Sequence, residues 1–130
     1  MTFPQNERRL FVDVFGDIQT KLSRINVANG FWETRMRVAD LGPQEEAIVI
    51  LSCIALVDSE MAEASEAVRK HNLATWGDAK TKDTLVRELA GACVRIMDLA
   101  EHLGLPLAEA IVEEVEANST RGYMHGGKKA

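Results

Sequence analysis

An all-α bundle is the fold this sequence predicts, and three observations predict it. Apolar residues recur at helical spacing through four long stretches, and no segment reads as a strand. Glycine or proline marks the ends of those stretches, at Gly30, Pro43, Gly104 and Pro106. The chain is 46% hydrophobic with only three prolines in 130 residues, which provides the core of a single domain over 1–130 and argues against disorder.

The first helix is expected from about Asn6 to Val27. Leu10, Phe11, Val14, Phe15, Ile18, Leu22 and Ile25 form one stripe along it, and Asn29-Gly30 ends it. A polar, irregular segment is expected from Gly30-Phe31-Trp32-Glu33 through Leu41-Gly42. The second helix starts at Pro43, a residue suited to the first helical position, and Glu45 and Glu46 favour the positive end of its dipole. Its first half, Ala47 to Val57, is apolar on every side and needs cover all round. A chain of this size provides that cover poorly, so this helix is expected to meet another subunit as well. It continues without a breaker into the Ala- and Glu-rich stretch that ends at Lys70.

His71 to Asp78 reads as a loop. The third helix is expected from Lys82 to Leu103, with Gly104 as its stop, and the fourth from Pro106 to about Asn118. From about 119 the chain is polar, glycine-rich and basic, and reads as a flexible tail.

Charge and composition exclude several classes. A net charge of −5 argues against a general affinity for nucleic acid, which depends on clustered Lys and Arg. The longest apolar stretch, Ala47 to Val57, is well short of the ~20 residues a membrane span needs. The first residues contain no apolar signal segment. Cys53 and Cys93 both lie in apolar helical stretches and are expected to be buried; two such cysteines form no disulfide framework, so a cytoplasmic location is expected. There is no zinc-ligand spacing, no Walker A loop and no dinucleotide-binding glycine motif.

The chemistry concentrates in two acidic clusters. Glu60, Glu63 and Glu66 follow one another at intervals of three, and Glu88 lies on the next long helix with Asp98 further along. Residues three apart are neighbours on a helix. Two such helices packed together form a hard-oxygen cage suited to Mg²⁺ or Mn²⁺. A solvated face is the commonest fate of glutamates at this spacing. Here, however, the intervening residues are small or apolar, and no basic partner follows until Arg69 and Lys70, so a cation explains the row better. Glu88 has a competing role as a charge neighbour of Arg95.

Gly91 costs about 1 kcal/mol in mid-helix against Ala. Close helix packing and room for a ligand both account for it. Asp98 is ~15 Å along the axis from Glu88, too far to share an ion with it, so any role in the site lies near a sugar or base. Phe31 suits a cap on the core, and Trp32 is a candidate for stacking on a base. Arg121, Lys128 and Lys129, among flexible glycines, are candidates to close over a polyphosphate.

Together these residues resemble the MazG-like nucleotide pyrophosphohydrolases, in particular the small phage and bacterial single-domain members. The family pattern is E-x-x-E, a spacer, then E-x-x-D. Glu60 and Glu63 match its first half and Glu88 the start of its second. Gly30-Phe31-Trp32, Arg95 to Ala100, Leu103 to Leu107 and the ending Asn118 … Arg121 … His125-Gly126-Gly127-Lys128 extend the resemblance over most of the chain.

The resemblance implies a four-to-five-helix MazG-like bundle working as a homodimer or homotetramer. It implies Mg²⁺-dependent hydrolysis of a nucleoside triphosphate between its α- and β-phosphates, giving a monophosphate and pyrophosphate. Glu60, Glu63 and Glu88 would bind the metal, and Glu66 would act as catalytic base or outer ligand. Trp32, Asp98, Arg121 and Lys128 would contact substrate. The departure is Gly91, which stands where the family has its Asp ligand; it implies weaker metal binding, and at the extreme a nucleotide- or partner-binding protein without turnover.

Overall fold

The computed structural model describes residues 1–70 and 73–122, and among them there are five α-helices and no strand. They are α1 (Gln5–Ala28), α2 (Glu33–Ala39), α3 (Pro43–Arg69), α4 (Ala79–Leu103) and α5 (Leu107–Ser119), with a short 3₁₀ turn at Leu73–Thr75. Helices α3 and α4 form the main pair, α1 lies on α4, α5 on the start of α1, and α2 on α3. The α3–α4 pair is antiparallel: Glu60 meets Arg95, whereas Ile50, ten residues earlier, lines a cleft with Leu99 and Leu103.

Two boundaries differ from expectation. Helix α4 starts at Ala79, three residues early, and the segment after Gly30 is not irregular but holds α2. Helix α2 is only seven residues long and buries none of them completely, so it carries no apolar stripe. It is held by an Arg37–Glu33 ion pair one turn apart and by Trp32 at its start.

Gly30 is what positions that start. Its φ of +85° is a left-handed conformation that side chains resist. Around it the Gly30 N–H donates to the Val27 carbonyl and the Phe31 N–H to the Asn26 carbonyl, at 3.0 Å each. This is the paired closure of a Schellman motif. The turn lays Phe31 and Trp32 back on the body, where Trp32, Val49 and Cys53 form the buried cluster and Phe31, Val38, Ala39 and Leu99 pack around it.

Many large apolar side chains are exposed. The stripe read on the first helix faces the chain's own core only in part: Phe15 and Leu22 are half-buried, while Leu10 is 66% exposed, Val14 and Ile18 are each 51% exposed, and Ile25 is 61%. The buried positions of α1 are instead Gln19 and Ser23. On α3 only Val49 and Cys53 of the Ala47–Val57 stretch are buried, while Ile48, Leu51 and Ile54 are exposed. Cys93 is exposed as well, contrary to expectation, and Cys53 is buried.

Candidate metal centre

Glu60 and Glu63 lie one turn apart on α3, and the antiparallel packing brings Glu88 of α4 opposite them. One carboxylate oxygen from each can be chosen so that all three lie within 4.8 Å of one another. Opposite ligands of an octahedral Mg²⁺ stand about 4.2 Å apart, twice the metal–oxygen bond. Adjacent ligands stand about 3.0 Å apart, so the three side chains would draw together around an ion to share it.

The charges are arranged unequally. Arg95 donates from Nε to Glu60 at 2.8 Å and holds the Glu60 carboxyl below its ordinary value of 4.5. Glu88 is pushed up to about 7, first by its hydrogen bond with Glu63, then by desolvation and by Glu60. Without a cation, three carboxylates this close share a proton in place of full ionisation. A divalent ion would take that proton's place.

Gly91 makes room for the neighbouring helix, as the close-packing reading had it, and the group it admits is the Glu60 side chain of α3. A Cβ at this position would lie 2.7 Å from Glu60 Oε2. The missing side chain is the seat of the Glu60 carboxylate, which rests over the α4 backbone between the cluster and Arg95. Arg95, expected as a neighbour of Glu88 along its own helix, pairs across to Glu60 instead.

Two cavities flank the carboxylates. One, of about 420 Å³, is lined by Glu63, Glu66, Lys70, Thr81, Thr84 and Glu88 with Ala67, which places Glu66 beside the cluster and a lysine at its edge. The other, of about 520 Å³, is lined by Asn26, Asn29, Gly30, Phe31, Val94 and Arg95, with Glu60 and Gly91 on the cluster side. Lys70, Asn26 and Asn29 were not singled out from the sequence. Lys70 was legible, with Arg69, as one of the first two cations after the acidic row; the asparagines carried no local signal.

The remaining candidates lie elsewhere. Trp32, expected to stack on a base, is 1% exposed. Its ring is already stacked on His102 at 3.8 Å between centroids, and its Nε1 donates to both oxygens of Asp98 at 3.1 and 3.0 Å. Asp98 is also buried, and accepts a further bond from Asn26 Nδ2 at 2.9 Å. Neither residue lines the cavities beside the carboxylates. Arg121 lies beyond α5, 3.7 Å from Glu114, and lines neither cavity. Lys128 is outside the described residues. No helix among the described residues is long and apolar enough to cross a membrane.

Set against known protein families, curated proteins and solved structures, the chain matches none of them.

Proposed function

We propose that this protein is a Mg²⁺-dependent nucleoside triphosphate pyrophosphohydrolase of the MazG-like type, cytoplasmic and acting as a homodimer or homotetramer, with Mn²⁺ as an alternative ion. The observation that carries this reading is the convergence of Glu60, Glu63 and Glu88 from two helices, with one oxygen of each within 4.8 Å of the others. Those three would hold the metal, which when bound neutralises phosphate charge and acidifies water.

The chain's own groups account for the rest. Glu66 borders the same cavity as Glu63 and Glu88, and it would accept the proton of the water that attacks the α-phosphorus. The bond to the bridging oxygen breaks, and pyrophosphate leaves with that oxygen. Lys70 lines the same cavity and would meet the charge of the departing group. Of the other expected substrate contacts, Trp32 and Asp98 act from behind the cleft rather than in it, and Arg121 and Lys128 remain candidates from the tail.

Pyrophosphate release from a panel of ribo- and deoxyribonucleoside triphosphates with Mg²⁺ tests the reading. Release that is abolished by chelator, and lost in Glu63→Gln and Glu88→Gln, is the expected result; no release from any triphosphate would refute it. A second reading is favoured by Arg95, whose guanidinium occupies one Glu60 oxygen, and by Gly91 in place of a carboxylate. On that reading the protein binds nucleotide without turnover, and binding with no pyrophosphate would identify it.

A further inference from the structure

The cleft on the Glu60 side of the cluster contains a hydrogen-bonding group whose orientation is fixed from behind. Asn26 donates its Nδ2 to Asp98 Oδ2 at 2.9 Å, and that carboxylate is 2% exposed and also takes the Trp32 indole. A carboxylate only accepts. Turning the Asn26 amide over would set its carbonyl oxygen against a buried carboxylate oxygen with no hydrogen between them. The buried Asp98–Trp32 pair therefore holds one amide orientation. Among the described residues nothing donates to Asn26 Oδ1, the side-chain oxygen, and Asn26 lines the cleft. The free function of this side chain is that of an acceptor.

The cleft suits the nucleoside end of the substrate proposed above. It shares Glu60 and Gly91 with the cluster, has Phe31 as an aromatic wall and measures about 520 Å³. The cavity on the other side carries Lys70 and two threonines beside Glu63, Glu66 and Glu88, and would suit phosphates with a cation between them and the carboxylates. Resting on the pyrophosphohydrolase reading, we infer that Asn26 reads the exocyclic amino group of a base, so that the site prefers cytosine and adenine to their oxo counterparts uracil and hypoxanthine. Asp98 and Trp32 are positioning residues that set this preference without touching the ligand.

Asp98→Ala provides the test, because it takes away the acceptor that holds Asn26. The freed amide can then turn either its oxygen or its NH₂ to the cleft. Binding is measured with Mg²⁺ and the non-hydrolysable α,β-imido analogues of dCTP and dUTP, and of dATP and dITP. The wild type is expected to favour the amino-bearing member of each pair by about tenfold, the scale of one hydrogen bond, and Asp98→Ala to bind the two members of each pair alike.

Equal affinities in the wild type, or an unchanged tenfold preference in a folded Asp98→Ala, would overturn the inference. If Asp98→Ala does not fold, Asn26→Ser serves in its place. It should lose the discrimination while still binding, and retained discrimination would overturn the inference. Pyrophosphate release without discrimination removes this inference and leaves hydrolysis standing. Discrimination without release does the reverse, and no binding of any analogue removes both.

Discussion

Glu88 is a carboxylic acid that gains its proton from its neighbours, and this gives the metal-free protein an unusual dependence on pH. Its ordinary value is 4.5, and its hydrogen bond with Glu63, desolvation and Glu60 push it up to about 7. Between those values the folded chain holds a proton that the unfolded chain has released. Stability therefore falls as pH rises from 4.5 through about 7. Glu60 has the opposite sign: its lowered value contributes stability that is present above 4.5 and is lost as pH falls through the folded value. The melting temperature of the chelator-treated protein should decline over the Glu88 window, and Glu88→Gln should flatten that decline. Mg²⁺ should raise the melting temperature most on the alkaline side, where three charges need neutralising. Gly91 permits a second residue-scale experiment. Gly91→Ala pushes against the Glu60 carboxylate that Arg95 holds, so that displacement offsets part of the about 1 kcal/mol of helix propensity it gains. Gly91→Asp should lower stability without metal and tighten the Mg²⁺ dissociation constant relative to Gly91→Ala. An Asp variant that binds Mg²⁺ no better than the Ala variant would show that Glu60 cannot give up its seat.

At the scale of elements, the turn between α1 and α2 carries more than its length suggests. Gly30→Ala forces a side chain into a left-handed backbone and should cost ~1–2 kcal/mol, read from urea unfolding. Because Asn26 and Phe31 are the two ends of the Schellman closure, the same substitution should weaken nucleotide binding beyond its effect on stability. The long helices were legible because glycine and proline mark their ends and apolar residues repeat within them. Helix α2 was not: seven residues with Glu33, Arg35 and Arg37 among them carry no periodic signal, and tertiary contact through Trp32 decides their state. The convergence of Glu60, Glu63 and Glu88 was legible for a similar reason, since two acidic helices joined by a short connection return on themselves. The partners of Asn26 and Glu60 were not. They lie 72 and 35 residues away, and no local spacing reports which helix face will meet which. Trp32 shows the limit most plainly, since an aromatic in a polar stretch looks free until the fold places His102 on it.

For the molecule as a whole, the balance of buried and exposed surface is the main clue. Helix α1 sets Gln19 and Ser23 against α4 and leaves Leu10, Val14 and Ile18 outside. Ile48 and Leu51 on α3 are likewise uncovered. Exposed apolar patches of this kind mark association sites, and the chain is expected to sediment as a homo-oligomer at micromolar concentration. Val14→Glu with Ile18→Glu should shift it to the monomer, whereas a wild-type monomer would leave the apolar stripe unexplained. One consequence reaches beyond assembly. If another copy covers the α1 stripe, the survival of each chain depends on how many are present, because mass action stabilises only what is associated. A newly made or diluted copy shows its apolar helix to proteases and chaperones, while an abundant one hides it. Turnover in the cell would then follow supply, sparing the protein when it is plentiful and clearing it when it is scarce.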